Sequence, residues 1–312
     1  MFAVLSTIFP VFALLFCGWL ARKKDWLGVS ATSELNRFVV NLALPALLFD
    51  IVANARLSDL MQPDFLILFV GSTVLIFALT VVILAFRGRK FAEATMGGLN
   101  SSYANTGFMG FPLVLAIAGD DARPLILIAA LVTVCVLFAM TIVMMEFAGG
   151  KNNSSTSSPT SILWRVLRNP LVFTPLLALV FPLSGMTLPA TVNHTLDLLG
   201  DAAAPCALVT IGLFLGERPL KQLRLSKLSV SLVTTKLILH PAIVLLLAWL
   251  FLDEVSELVI YSAILLAALP TGTGPFMLAE YYKEDASVAS DCILLSTAIS
   301  PLSLAGIMLY FG

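Results

Sequence analysis

The sequence is poor in charge for its length. Only 12% of its 312 residues are charged and 59% are hydrophobic, whereas a soluble domain carries about 25% charged residues. Too few hydrated side chains are present to cover a globule in water, so a soluble fold is excluded. We predict an integral membrane protein in a lipid bilayer. The net charge of −1 does not indicate any particular class of binding partner.

Cysteine and histidine are also scarce, with 4 and 2 residues. Every cysteine lies within an apolar stretch and is predicted to be a small buried side chain, not part of a disulfide framework or a metal site. The sequence shows no pattern typical of a metal cluster, a phosphate-binding loop or a nucleophile with its base. We therefore predict no metal, no cofactor and no enzyme activity. The cysteines are Cys17, Cys135, Cys206 and Cys292.

Long apolar runs of helical, non-alternating character dominate the chain. Each is about 20 residues long, which is the length that a helix needs to cross a bilayer and too long for a barrel strand. We predict an all-α integral membrane protein with ten transmembrane helices. The predicted spans are 2–21, 35–53, 65–86, 95–118, 124–147, 163–182, 192–216, 229–252, 257–281 and 288–311.

A Ser-rich polar stretch separates the fifth predicted span from the sixth. It divides the chain into a first half at 1–148, a flexible linker at 149–161 and a second half at 162–312. Residues of the two halves match in order at a nearly constant spacing. Because each half has an odd number of spans, we predict two inverted five-helix repeats. The matches are Pro10 with Pro170, Pro45 with Pro205, Thr106-Gly107 with Thr271-Gly272, Asp121-Ala122 with Asp285-Ala286, and Thr133 with Thr297.

The distribution of Lys and Arg predicts the orientation in the membrane. Loops after the odd-numbered spans hold nearly all of these residues, while loops after the even-numbered spans hold only Arg56 and Arg123. Basic loops stay in the cytoplasm, so both termini are predicted outside and the linker is predicted cytoplasmic. This topology accounts for the basic loops, and no nucleic-acid partner is predicted.

Two of the predicted spans are interrupted near their centres. The fourth contains Gly107, Gly110 and Pro112, and the ninth contains the run from Pro270 to Pro275. An interrupted helix leaves backbone groups unpaired, at several kcal/mol each, and survives only where it lines a polar cavity. Matched interruptions in two halves indicate the binding site of a transporter. For either span alone, an ordinary kink is the alternative interpretation.

The ends of the interrupted helices predict an anion site. A helix N-terminus presents unpaired N–H groups and about half a positive charge. Proline fits the first turn of a restarted helix, and glycine lets a ligand approach the backbone. Where two such N-termini meet, a carboxylate is the expected ligand. The predicted substrate-binding residues here are Asn105, Thr106, Gly107, Gly110, Pro112, Pro270, Thr271, Gly272, Thr273, Gly274 and Pro275.

Four polar residues of other spans are further candidates. Lys236 lies near mid-bilayer, where a charge costs at least ~2.5–3.5 kcal/mol, and His240 follows one helical turn later. Our hypothesis is that both contact the substrate, and the alternative is snorkelling or packing. Asp201 and its repeat mate Asn41 are predicted to couple transport to an ion. The alternative for Asp201 is a helix cap or a partner for Lys236.

These motifs resemble those of the auxin efflux carrier family, and especially of its short bacterial members. The resemblance is carried by NLALPALLF at 41–49, NTGFMGFPL at 105–113 and the break at 269–281. It implies a fold similar to that of bile-acid sodium symporters, with discontinuous helices 4 and 9 crossing beside a scaffold. It also implies a substrate such as malonate or another small organic acid. The ninth span has no asparagine that matches Asn105, so an asymmetric site is predicted.

Together these features predict a secondary transporter that moves a small organic anion by alternating access at the crossing of helices 4 and 9. H+ and Na+ are the candidate coupling ions, and a homodimer is a candidate assembly. The predicted location is a bacterial inner membrane. Two other classes stay open, namely a membrane sensor or receptor for an organic acid without transport, and a membrane-embedded enzyme.

Overall fold

The computed structural model describes residues 2–56, 60–149, 159–217, 226–251 and 255–311. Within these ranges the chain is helical, and its one pairing of extended backbone is an antiparallel bridge between Ala104 and Thr271. Most of the predicted linker at 149–161 lies outside the described residues. The division of the chain into two halves therefore stays a prediction.

The helices follow one another along the chain with short connections. Their bounds are α1 Phe2–Lys23, α2 Ala31–Ala53, α3 Pro63–Phe86, α4 Phe91–Ser102, α5 Thr106–Ala118, α6 Asp120–Phe147, α7 Pro159–Arg168, α8 Pro170–Ser184, α9 Ala190–Glu217, α10 Lys227–Phe251, α11 Glu257–Ala267, α12 Gly274–Tyr282 and α13 Ser287–Phe311.

Six helices (α2, α3, α6, α9, α10 and α13) are long and apolar enough to cross a membrane. Three more (α5, α8 and α11) are apolar but shorter. The described part of the chain thus agrees with the prediction of an all-α membrane protein. The count of ten spans, the inverted repeat and the outward termini stay predictions.

Each predicted interruption appears as a break between two helices, but the first lies earlier than predicted. The chain leaves the helix only at 103–105, and it resumes at Thr106 as a π turn, so Gly107, Gly110 and Pro112 lie within α5. Pro112 lies in the first turn of the α-helical part of α5, which begins at Phe111 after this π turn. A π turn before it shifts the hydrogen bonds, with Gly110 N–H donating to Asn105 O at 3.1 Å, and an α-helix can then start around the proline. Pro275 lies in the first turn of α12, as predicted.

α1 and α9 approach each other closely through glycines. A Cβ at Gly18 would overlap the carbonyl oxygen of Val209, and one at Gly212 would overlap that of Leu15. Small residues let membrane helices come into backbone contact. The spacing of Gly212 and Gly216 is the small-xxx-small pattern that indicates such a contact. α9 also supplies residues to the cavity described below.

Candidate functional site

The two breaks pair with each other through their backbones. The Asn105 N–H donates to Pro270 O at 2.9 Å, and the Gly272 N–H donates to Tyr103 O at 3.1 Å. An extended segment inside a membrane protein must find partners for its backbone groups, because no water is available there. Here each break supplies the partners of the other. The helix pairs α4–α5 and α11–α12 are therefore joined at a single crossing.

Thr271 stabilises this crossing from within. Its hydroxyl donates to Asn100 O at 3.0 Å, which is one of the carbonyl groups left without an intrahelical partner at the end of α4. Its backbone N–H donates to the hydroxyl of Ser296 in α13 at 3.0 Å. The side chain is fully buried. Thr271 was predicted to bind substrate, and in this structure its polar groups bind the protein.

Lys236 supplies a hydrogen-bond donor to the end of α11, as Thr271 does for α4. Its ammonium donates to the carbonyl oxygen of Ala267, the last residue of α11, and lies 3.4 Å from Nδ1 of His240. Nε2 of His240 lies 3.2 Å from the hydroxyl of Thr73 in α3. Lys236 and His240 are both 0% exposed. Neither residue lines the cavity described next. Their contact with substrate therefore stays a prediction.

A cavity of about 420 Å³ opens beside the crossing, between the breaks and helices α2, α6 and α9. Apolar side chains such as Leu47 and Phe108 form much of its wall. Its size falls within the range of small-molecule sites. The other cavity-lining residues that matter here are Tyr103, Asn105, Thr106, Gly107, Asp201 and Thr273.

The N-terminus of α5 forms part of the cavity wall. The Thr106 hydroxyl is buried and has no hydrogen-bond partner among the described residues. Asn105 occupies the N-cap position, but its side chain makes no capping hydrogen bond within the described part of the chain. A Cβ at Gly107 would meet no described atom within 4 Å. A buried hydroxyl without a partner costs free energy, so Thr106 is a candidate for binding a ligand that accepts a hydrogen bond.

Asp201 brings a negative charge to the same cavity. It lies in α9, is exposed and lines the cavity wall. The carboxylates of Asp197 and Asp201 lie close enough to Asp50 to repel its charge, and Asn54 donates to Asp50 Oδ1 at 2.8 Å. The proximity of Asp50 to these carboxylates was not predicted, because nothing local in the sequence shows that α2 and α9 are neighbours.

Several predicted residues lie away from the cavity. Asn41 is exposed, and its amide donates to Arg37 O at 2.8 Å in its own helix. Gly110 packs against Leu266 of α11 and against Leu269, which follows that helix. Pro270 and Pro275 are buried outside the cavity wall, and the side chain of Pro112 lies outside the described residues.

Gly272 and Gly274 make room for aromatic rings instead of a ligand. A Cβ at Gly274 would lie 2.5 Å from Tyr103 Cζ and 2.6 Å from Phe138 Cε1, and one at Gly272 would lie 2.9 Å from Tyr103 Cε1. The two rings stack with centroids 5.2 Å apart. These glycines were predicted to let a ligand approach the backbone. In the structure, aromatic side chains already fill the space beside them. Tyr103 adjoins the first break in sequence, which was the available signal for its role.

A family model described as membrane transport protein matches residues 3–308, which is nearly the whole chain. The chain belongs to this family. The resemblance to the auxin efflux carrier family is thereby confirmed. This auxin efflux carrier family protein is a multi-pass membrane transporter.

Three relatives align with this chain over nearly the full length of both proteins. A Rhizobium meliloti protein named "Putative malonate transporter" is 33% identical over 307 residues, covering 98% of this chain and 95% of the relative. An uncharacterized transporter from Methanothermobacter thermautotrophicus is 26% identical over 310 residues, with coverage of 96% and 95%. Auxin efflux carrier component 8 of Arabidopsis thaliana is 22% identical over 356 residues, with coverage of 97% and 96%.

Proposed function

We propose that this transporter carries a small organic anion and binds its carboxylate in the cavity at the crossing. The observation that carries the proposal is the buried, unpartnered Thr106 hydroxyl beside the N-terminus of α5. A helix N-terminus favours an anion through its N–H groups and its dipole. The Rhizobium meliloti relative, which is named for malonate, supports a short carboxylate as the substrate class.

Some polar groups at the crossing bind the anion, and others hold the two breaks together. Asn105 and Thr106 supply donors from one arm of the crossing, and Thr273 supplies a hydroxyl from the other. Gly107 leaves the α5 backbone open to the ligand. Thr271 holds the arms together. The site is then asymmetric, because one arm contributes an asparagine and the other a threonine.

Asp201 is our candidate for coupling transport to protons. It shares the cavity with the proposed carboxylate site, and two unit charges 4 Å apart repel by about 4 kcal/mol at an effective dielectric constant of 20. A coupling cation bound at Asp201 would offset this repulsion, so that cation binding and anion binding assist each other. We propose no direct ion contact for Asn41.

The proposed mechanism is alternating access of a cavity built on two inverted five-helix repeats. In the orientation predicted from Lys and Arg, both termini lie outside a bacterial inner membrane. The part of α9 that carries Asp201 then lies towards the outer half of the bilayer. A homodimer is the candidate assembly.

Flux measurements test this function. Purified protein is first screened for thermal stabilisation by mono- and dicarboxylates, because a ligand that binds the folded state raises its stability. Uptake of radiolabelled malonate, or of the strongest ligand, into proteoliposomes follows. We expect flux in the wild type and none in Asn105→Ala, with unchanged unfolding temperature. Wild-type flux in Asn105→Ala would refute the site. Binding without flux in the wild type would instead support a receptor, and chemical turnover would support an enzyme.

A further inference from the structure

A second cavity, an apolar groove of about 500 Å³, lies between α2, α3, α6 and α8. Among the described residues, the side chains that line it are aliphatic, proline or sulfur-containing, and none carries a charge, a hydroxyl or an amide. Val136, Leu176 and Leu179 of its wall are exposed, so the groove opens at the surface of the helix bundle. That surface meets lipid tails in a bilayer, and an apolar cavity holds no ordered water. The wall therefore suits a hydrocarbon ligand.

The length of the apolar groove matches one leaflet of a bilayer. α8 lines it from Leu171 to Pro182, and α6 lines it from Ile128 to Met140. At about 1.5 Å of rise per residue, these stretches are roughly 16–18 Å long. Half of the hydrocarbon core of a bilayer is about 15 Å thick. One acyl chain that lies along the two helices would therefore extend over the hydrocarbon of one leaflet.

A basic residue adjoins the groove where α2 ends. Ala55 and Leu60 line the groove there, and exposed Arg56 follows Ala55 in the chain. Arg56 belongs to a loop predicted to lie outside, where the retention of basic loops in the cytoplasm does not account for it. Arginine binds phosphate groups through two parallel hydrogen bonds. A phospholipid combines the two chemistries found here, a hydrocarbon chain for the groove and a phosphate for the guanidinium.

α6 separates the apolar groove from the candidate substrate cavity. Ala130 and Val134 line the cavity, and Leu131 and Cys135 line the groove. A π turn at Val132–Val136 interrupts the regular helix at this level, and π turns occur often at functional sites. A ligand in the groove would therefore pack against the same turn of α6 that borders the cavity.

We propose that the apolar groove binds one acyl chain of a bilayer phospholipid whose phosphate contacts Arg56, and that the bound chain stabilises the π turn of α6. The protein packs in a separate small cluster here, formed by Val52, Ala53 and Ala178 beside the main core. An empty groove leaves its wall without dispersion contacts, and a bound chain supplies them. The inference goes beyond the proposed function, because it holds for any transported substrate.

Lipid binding tests the site directly. The purified protein is mixed with palmitoyl-oleoyl phosphatidylglycerol in detergent, and native mass spectrometry counts the lipids that stay bound. We expect one tightly bound lipid in the wild type and at least about tenfold weaker binding in Ala139→Trp, because the added ring displaces several buried CH2 groups from the groove. Ala78→Trp adds the same ring at an exposed position of α3 and should bind lipid as the wild type does. Equal binding by the wild type and Ala139→Trp would overturn the inference, and dimers that hold no lipid would do so by assigning the groove to a second copy.

Substitution of Arg56 tests the headgroup contact and leaves the groove intact. We expect Arg56→Gln to weaken phosphatidylglycerol binding about fivefold, the effect of one basic residue near an anionic lipid surface. Arg87→Gln removes an exposed basic residue that follows α3 and should not change the binding. Equal affinity in Arg56→Gln and the wild type would refute the contact between Arg56 and the phosphate.

Hydrogen exchange tests the link to α6. Saturating phosphatidylglycerol should slow exchange of the backbone amides at Val132–Val136 at least about threefold in the wild type, because added packing suppresses local opening. The same lipid should leave these amides unchanged in Ala139→Trp. Equal exchange with and without lipid, in a wild-type protein that binds it, would overturn the proposed stabilisation of the π turn.

Discussion

The backbone N–H of Asn105 donates to the carbonyl oxygen of Pro270 across 2.9 Å. These two residues belong to breaks that lie far apart in the chain. Their hydrogen bond makes each break the partner of the other, so neither can move without breaking or carrying the other. We infer that the crossing behaves as one body, and that conformational change during transport occurs between this body and the helices around the cavity, such as α2 and α9.

Removal of the Thr106 hydroxyl should weaken anion binding. We expect Thr106→Val to lower malonate affinity by at least about tenfold, since a hydrogen bond to a charged group contributes ~1.5–3 kcal/mol. Stability should not fall, because the buried hydroxyl has no partner in the part of the chain that the structure describes. Isothermal titration calorimetry measures the affinity. The matched control is Thr195→Val, whose hydroxyl donates to Thr191 O in α9 outside the cavity. Equal affinity in Thr106→Val and the wild type would contradict the prediction.

Neutralisation of Asp201 should strengthen anion binding. Its carboxylate lines the same cavity as the proposed anion site, and like charges repel. We therefore expect Asp201→Asn to bind malonate at least as tightly as the wild type at a fixed pH, and isothermal titration calorimetry measures this affinity. Asp121→Asn, at an exposed position, is the control and should bind as the wild type does. Weaker binding by Asp201→Asn would exclude the proposed repulsion.

Closing the gap between α1 and α9 with a side chain should destabilise the fold. A methyl group at Gly212 would overlap Leu15 O, and overpacking typically costs ~1–3 kcal/mol. We therefore expect Gly212→Ala to lower the unfolding temperature in detergent. Gly28→Ala adds the same group where no atom lies within 4 Å and should leave that temperature unchanged. Similar unfolding temperatures for both variants would argue against close packing of these helices.

Glu146 joins three helices at the end of α6 that is predicted to be cytoplasmic. Its carboxylate accepts from Arg165 Nε of α7 at 2.7 Å and from Tyr282 Oη of α12 at 3.2 Å. It is only 8% exposed. We expect Glu146→Gln to weaken both contacts and to speed hydrogen exchange in α12. Glu93→Gln, which removes an exposed pair with Arg89 at 3.5 Å, should have almost no effect, since surface pairs contribute ~0–1 kcal/mol. Unchanged exchange in Glu146→Gln would refute the link.

Local patterns in the chain were enough to predict the helices and their interruptions. α3 begins at Pro63 and ends at Phe86, close to the predicted span at 65–86, because apolar length and flanking polar residues depend only on neighbours in sequence. The breaks were found for the same reason, since Gly and Pro change backbone geometry locally. The π turn before Pro112 was missed, because a shift in hydrogen-bond spacing leaves no clear mark in composition.

The sequence alone was enough to identify the apolar runs, the two breaks and the acidic and basic residues within the runs, because each is a local property. Contacts between distant segments could not be predicted in this way. Asp201 and Asn41 looked equivalent as repeat mates, yet only Asp201 lines the cavity. Lys236 was predicted to contact substrate, which stays a prediction, and packing brings its ammonium to the carbonyl of Ala267 at the end of α11. Which polar group meets the cavity and which completes a helix depends on how helices pack, and packing brings together residues that no local pattern relates.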